Sequence, residues 1–197
     1  MYRLSFTAAA FRFAESVRLA EAYQELGDWK AVRQAVFTDD LLRKGKRSTI
    51  KSEFREIELR LGSLSDPEIQ FLLQTDTVSQ RYLLLIAICR TYTFVQQFVL
   101  DVVRANYQRF EFDISETDYR RFFDQQAALH DELDRLADSS KVKIRQVLFK
   151  LLEGAGYIVS VQQRTITRPV VLDTLVGLIR QTQPADLPLI LFNDRDL

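Results

Sequence analysis

The chain has 197 residues, of which 47% are hydrophobic and 27% are charged, and its formal net charge is zero. This length suits one large domain or two small ones with a sizeable buried core. The neutral balance means that overall charge does not indicate a nucleic-acid partner. A single cysteine excludes an internal disulfide, and the first residues lack the apolar stretch of a secretory signal, so we expect a cytoplasmic protein.

Helix signals follow one another from the N-terminus to residue 62. We predict a first helix over residues 7–26 that ends at Gly27, followed by a second helix that Asp28 caps. A third helix begins at Ser48 or Thr49, and its apolar residues recur every three or four positions. This spacing leaves the lysine and arginine side chains of the third helix on the surface.

Three capping boxes mark further helix starts. Ser65 has a proline and a glutamate in the following turn, Thr77 is followed by a glutamine at the same spacing, and Ser115 is followed by an aspartate. Short loops between such starts are typical of consecutive packed helices. The helices predicted after residue 62 cover 66–74, 78–92, 94–109 and a segment that begins at 115.

The most apolar stretch lies between residues 82 and 100 and contains Cys89. Arg90 and two glutamines interrupt it, whereas a membrane span needs about 20 largely apolar residues without a central charge. We therefore predict a central core helix, with Cys89 as a small buried side chain, and no contact with a membrane.

The final third of the chain changes character. A helix over 140–153 ends at a Gly-Ala-Gly turn, and the segments 157–161 and 164–168 have the β-branched, alternating pattern of two strands. Helix, turn and hairpin in this order are typical of winged-helix proteins, although an ordinary α+β cap on a helical domain has the same order. The predicted fold is therefore mainly α: a multi-helix bundle (1–138) with a small C-terminal α+β, winged-helix-like portion (139–197) packed on it.

Charge is segregated along the chain despite the overall balance. Residues 43–60 include seven basic and three acidic residues, residues 139–168 six and one, and residues 113–138 three and eight. The net charges of these segments are +4, +5 and −5. Both basic segments place cations and paired hydroxyls near a predicted helix start, where free backbone N–H groups and the helix dipole favour phosphate. Solvated helix caps give the same pattern.

The residues offer little for catalysis. His130 is the only histidine, which excludes a histidine-based metal cluster, and no Gly-rich phosphate loop of the known types is present. Acidic clusters at Asp39-Asp40 and at Asp113, Glu116 and Asp118 could in principle hold a divalent metal, but acids are also common at helix starts. We expect no enzymatic activity, no metal and no small-molecule cofactor.

Motifs spread over nearly the whole chain resemble the BrxA family of bacterial phage-defence (BREX) systems. They are Leu4-Ser5-Phe6-Thr7-Ala8, Glu15-Ser16, Glu25-Leu26-Gly27-Asp28-Trp29, Val32-Arg33, Arg55-Glu56-Ile57, Arg60-Leu61, Cys89-Arg90-Thr91-Tyr92, Phe94, Asp118-Tyr119, Phe122-Phe123, His130, Glu132-Leu133, Lys143-Ile144-Arg145-Gln146-Val147-Leu148-Phe149 and Gly156-Tyr157-Ile158. None of these motifs is a catalytic fingerprint.

The resemblance implies a small, mainly helical accessory protein that binds double-stranded DNA without catalysis. Cations and hydroxyls predict a grip on phosphates with little base readout. The runner-up is a protein-interaction scaffold within the defence complex, whose partners are other BREX proteins, and RNA is a third option. The predicted DNA-contacting residues are Arg43, Lys44, Lys46, Arg47, Ser48, Thr49, Lys51, Arg55, Ser139, Ser140, Lys141, Lys143, Arg145, Arg164 and Arg168.

Overall fold

A computed structural model describes residues 2–38 and 47–190 of the chain. These residues form α-helices joined by short loops, together with a 3-10 turn at Ser5–Ala8 and a π-helical turn at Val99–Arg104. The α-helices are α1 (Phe13–Leu26), α2 (Trp29–Thr38), α3 (Arg47–Leu61), α4 (Asp66–Gln74), α5 (Thr77–Thr91), α6 (Thr93–Phe98), α7 (Ala105–Gln108), α8 (Glu116–Leu129), α9 (Asp131–Asp134), α10 (Asp138–Ala155), α11 (Asp173–Thr182) and α12 (Leu187–Ile190).

Two of the three predicted capping boxes are confirmed. At the start of α4 the backbone N–H of Ser65 donates to the Glu68 carboxylate at 2.8 Å, and Ser115 makes the equivalent bond with Asp118 at the start of α8. The box predicted at Thr77 is wrong. Asp76 caps α5 instead: its carboxylate accepts from the backbone N–H groups of Val78 and Ser79, so the helix begins at Thr77 and Thr77 lies inside its first turn.

Helix α5 forms the centre of the core. Residues 82–89, including Cys89, are all buried, and α5 packs against α1, α3, α4 and α10. The chain then bends by 118° at Tyr92 before the continuous helical segment Thr93–Gln108. Within the described ranges no single helix is long and apolar enough to cross a membrane, and only α5 and this segment taken together, across the bend, pass that test.

The N-terminal segment packs on the helix bundle through an aromatic contact and through hydrogen bonds. Phe6 is fully buried and stacks on Phe94, while the buried guanidinium of Arg60 in α3 donates to the carbonyl oxygens of Ala9 and Ala10. The phenol of Tyr92 links Arg60 to Glu56, since it accepts from the first at 3.3 Å and donates to the second at 2.6 Å. The buried charges are thus paired and hydrogen-bonded, as burial requires.

The predicted C-terminal β-hairpin and the winged-helix-like portion are wrong. Over residues 47–190 the structure has isolated bridges, Asp113↔Thr165 and Ile158↔Ile166, but no strand or sheet. Residues 164–166 lie between 157–159 and 112–114 and bond to both, so no pair runs long enough to form a ladder. Tyr157 and Ile158 are buried with the helices, and this tertiary packing outweighs their β propensity.

The mainly α part of the predicted fold is confirmed. The start of the C-terminal portion, α10, packs on α5 and on the 3-10 turn at Ser5–Ala8, and α12 packs on the π-helical turn. The division of the chain at residue 138 stays a prediction.

Candidate nucleic-acid interface

The first predicted cluster lies mostly at the N-terminal end of α3. Arg43, Lys44 and Lys46 are outside the described residues, and for Arg47 only the backbone, at the start of α3, is described. The other members, Ser48, Thr49, Lys51 and Arg55, are all exposed.

A groove of about 590 Å³ lies beside this cluster and is lined by Arg33, Phe37, Ser48 and Lys51. Part of the Arg33 guanidinium is already engaged, because its Nη2 donates to both carboxylate oxygens of Glu58, at 3.0 and 2.8 Å. Among the described side chains of α3, Lys51 and Arg55 are exposed cations for which no ion pair is found.

The second predicted cluster occupies the first two turns of α10. The N-cap is Ala137, so Ser139 and Ser140 lie inside the first turn and do not cap the helix with their side chains. Lys143 is exposed, whereas Lys141 is half-buried and its ammonium lies 5.9 Å from the centre of the Phe123 ring on α8. The ring thus holds the Lys141 ammonium at the junction of α8 and α10.

Two of the predicted contacts, Arg145 and Arg164, converge on one carboxylate. Glu116, the first residue of α8, accepts from Nη1 of Arg145 through one oxygen and from Nη1 of Arg164, at 3.1 Å, through the other. A third cation, Arg120, lies one turn along α8 with its Nε 3.8 Å from Glu116. We call Glu116, Arg120, Arg145 and Arg164 the Glu116 cluster; it carries three positive charges and one negative charge.

Glu116 stays ionised in this environment. Partial burial would raise its pKa, but the hydrogen bonds from Arg164 and Arg145 outweigh that effect and hold the pKa below its ordinary value. The guanidinium of Arg164 also lies 4.1 Å from the centre of the Phe149 ring, which fixes it further. Arg145 and Arg164 therefore help to hold the structure together, as well as contributing charge, while Arg168 is exposed.

Sequence analysis did not predict Arg120 as a site residue, and considered Glu116 only as a possible metal ligand. The spacing of four residues between Glu116 and Arg120 could have predicted their ion pair, because side chains at this spacing face each other on a helix. The ion pairs to Arg145 and Arg164 join segments 29 and 48 residues away along the chain and have no local signature.

The acidic residues considered as metal ligands each have a different role. Asp113 accepts from the Thr165 hydroxyl, Glu116 binds the arginines, and Asp118 completes the cap of α8. Asp39 and Asp40 are outside the described residues. In the parts of the chain that are described, no group of three His, Cys, Asp or Glu side chains is placed to hold a metal. The ring of His130 lies against Tyr2, with 3.9 Å between the ring centres.

The class of protein that this geometry defines is a helical protein with a locally cationic surface on α10 and α8. The sequence matches the BrxA family over residues 1–183, and the chain belongs to that family. It is 24% identical over 181 residues to the BREX protein BrxA of Escherichia coli O9:H4 (strain HS), a match that covers 92% of this chain and 85% of the relative. Family membership implies a role in phage defence.

The fold also has a match among solved structures. A crystal structure of an uncharacterized protein from Magnetospirillum magneticum superposes with a TM-score of 0.84 at 16% identity, and the match covers 96% of this chain and 97% of the other. At this identity the likeness concerns the fold alone.

Proposed function

We propose that this BrxA-family protein is a non-enzymatic, cytoplasmic accessory protein of a BREX system that binds double-stranded DNA. The observation that supports it most is the gathering of cations from α8, α10 and the segment 164–168 around Glu116, with Lys141 beside them. Cations from three separate segments on one surface suit the closely spaced charges of a nucleic-acid backbone.

The chemistry of these side chains favours phosphate contact over base readout. Lysine, arginine and serine bind phosphate oxygens and fix the register of a protein on DNA. The predicted contacts contain no asparagine or glutamine, the side chains that pair with adenine in the major groove. We therefore expect unrelated sequences to bind with similar affinity.

Fluorescence anisotropy with two unrelated labelled duplexes tests the proposal. Affinity should be similar for both and should fall steeply between about 50 and about 200 mM salt, because each neutralised phosphate releases counterions. The absence of binding at the lower salt concentration would refute DNA binding and leave the scaffold role described below.

Reversing the charge of two lysines on α10 tests whether this helix forms part of the DNA-binding surface. Lys141→Glu with Lys143→Glu should weaken binding to both duplexes and reduce the salt slope by about 2, one for each lost phosphate contact. The matched control reverses Arg18 and Lys30, two exposed cations on α1 and α2, and makes the same change in net charge. Equal loss in both double variants would indicate a non-specific effect of net charge and exclude the α10 surface.

A scaffold role within the BREX system is the second candidate, and an exposed aromatic loop favours it. The side chains of Phe110 and Phe112 are 81% and 40% exposed and their rings lie 6.3 Å apart. Phe110 also adopts a positive φ of 62°, a conformation that is costly for a bulky residue and is often found at functional sites. Large exposed aromatic side chains are common in protein interfaces.

Co-purification distinguishes the two candidates. A scaffold should retain other BREX proteins after nuclease treatment of the extract, and Phe110→Ser should abolish that retention without changing affinity for DNA. Loss of the partners on nuclease treatment would show that DNA, and not the aromatic loop, holds them together.

A further inference from the structure

A small pocket of about 160 Å³ lies between α8 and the N-terminal half of α10. Its volume is below the range of about 300 Å³ and upward that is typical for drug-sized ligands, and suits a group the size of a phosphate. It is lined by Tyr119, Arg120, Phe123 and Asp124 of α8 and by Lys141 and Arg145 of α10, with Glu116 at one end.

The pocket wall is cationic overall. Arg120, Lys141 and Arg145 contribute three positive charges, and Glu116 and Asp124 contribute two negative charges. Arg164 adds a further positive charge because it is bonded to Glu116 from outside the pocket. The carboxylate of Glu116 is therefore shared by three arginines and cannot satisfy all of their N–H groups.

Two of the three pocket cations are held in place without a ligand. Lys141 lies 5.9 Å from the centre of the Phe123 ring, and Arg145 is bonded to Glu116. The Arg120 side chain is 75% exposed and lies 3.8 Å from Glu116, beyond hydrogen-bond distance, so its guanidinium can turn toward a ligand in the pocket. Ordered cations reduce the conformational freedom that the protein loses when a ligand binds, and two of them beside a small pocket suit a compact oxyanion.

The ring of Tyr119 forms an apolar part of the pocket wall. Tyr119 is 6% exposed, and its hydroxyl is buried without a hydrogen-bond partner among the described residues. The accessible area of the hydroxyl oxygen is below 1 Å², so a ligand in the pocket contacts the ring and not the hydroxyl.

We propose that this pocket binds a single phosphate group through Arg120, Lys141 and Arg145. The phosphate is either free in solution or part of a nucleic-acid backbone, and the chemistry of recognition is the same for both. Recognition of free phosphate does not rest on the proposed DNA binding, and recognition of a backbone phosphate would make the pocket one point of that contact.

The first arm of the test uses inorganic phosphate on the full chain. Thermal unfolding is compared in phosphate and in chloride of equal ionic strength, and phosphate in large excess should raise the midpoint of the wild type by about 2–4 °C. Arg120→Gln with Lys141→Gln should abolish this rise.

The matched control is Arg121→Gln with Lys150→Gln. These exposed cations lie on the same two helices, do not line the pocket, are not among the predicted DNA contacts, and make the same change in net charge. The control should keep the full rise. An equal rise in all three proteins would show a general salt effect and overturn the proposal, as would no rise in the wild type.

The second arm distinguishes the sources of phosphate. Arg120→Gln and its neighbour Arg121→Gln are compared for affinity to a short labelled duplex. A loss of at least about fivefold in the first alone assigns the pocket to a backbone phosphate. Equal affinity in both, together with the phosphate-dependent rise, assigns it to free phosphate. Failure of the duplex to bind any of the proteins would refute DNA binding and leave the result of the first arm standing.

Discussion

Gly154 on α10 lies directly against Phe11 in the N-terminal segment. A Cβ atom placed on Gly154 would be 2.6 Å from Cβ of Phe11 and 2.7 Å from its Cγ, distances that real side chains do not reach. The absence of a side chain at residue 154 is therefore what lets Phe11 pack, 6% exposed, on the last turns of α10.

Gly154→Ala should destabilise the protein by about 2 kcal/mol, since overpacking typically costs about 1–3 kcal/mol even where alanine is the better helix former. Urea unfolding measures the change. Gly177→Ala in α11 is the control, because its Cβ would meet nothing within 4 Å, and it should stabilise by up to about 1 kcal/mol. Equal effects of the two substitutions would contradict the described packing of Phe11.

Tyr92→Phe should cost about 1–3 kcal/mol, because it removes the buried hydroxyl that joins Arg60 to Glu56 and leaves both partners short of a bond. Burial raises the pKa of Tyr92 to about 12, so the loss should be constant across neutral and moderately alkaline pH. Tyr119→Phe also removes one buried hydroxyl, but one without a partner among the described residues, and should not destabilise. Chemical unfolding of both variants at two pH values checks this pair.

Glu68→Gln should destabilise the protein by about 3 kcal/mol at neutral pH, the usual cost of breaking a buried ion pair. Glu68 is 1% exposed and binds the Arg90 guanidinium at 2.7 Å. Burial opposes ionisation of Glu68, but the bonds from Arg90, Ser65 and Thr182 lower its pKa from 4.5 to about 2.

A lowered carboxyl pKa stabilises the fold at pH values above the unfolded pKa, and that contribution is lost as pH falls through the folded pKa. The stability difference between wild type and Glu68→Gln should therefore be full above about pH 4.5 and close as pH approaches 2. Urea unfolding at a series of acidic pH values measures the gap. A gap that stayed constant over this range would mean that Glu68 is not ionised in the folded protein.

Cys89 should not react with a thiol reagent in the native protein. The side chain is 1% exposed and burial raises its pKa, so both access and the thiolate needed for reaction are lacking. In urea the thiol should react fully, and the rate of labelling at low urea should follow the opening of the core. Fast labelling of the folded protein would contradict the central position of α5.

Local signals predicted much of the helical structure. Gly27 ends α1 in the left-handed conformation, Asp28 caps α2 with a bond of 3.2 Å to the N–H of Ala31, and Ser65 and Ser115 start α4 and α8 as expected. Each of these depends on atoms within a few residues of one another. The capping box predicted at Thr77 is wrong because the preceding residue, Asp76, is an equally good N-cap.

The remaining features depend on contacts between distant residues. The segment 157–161 has the composition of a strand, yet the burial of Tyr157 and Ile158 against helices leaves one isolated bridge to 164–166, Ile158↔Ile166. In the candidate site the cations of α10 were predicted from local charge, but the carboxylate that binds Arg145 and Arg164 was not. Glu116 lies in the most acidic segment of the chain, and only the fold brings it to the basic one.

The contacts of the N-terminal segment also determine when its side chains can become buried during synthesis. The N–H of Tyr2 donates to Glu132, its hydroxyl donates to Gln126, and Phe11 packs on Gly154, so these early residues meet partners that the ribosome adds more than a hundred residues later. Loop closure over such a distance is slow compared with local helix formation. Phe11 therefore stays partly uncovered on the nascent chain until α10 has emerged, and apolar side chains exposed in this way make folding intermediates prone to aggregation.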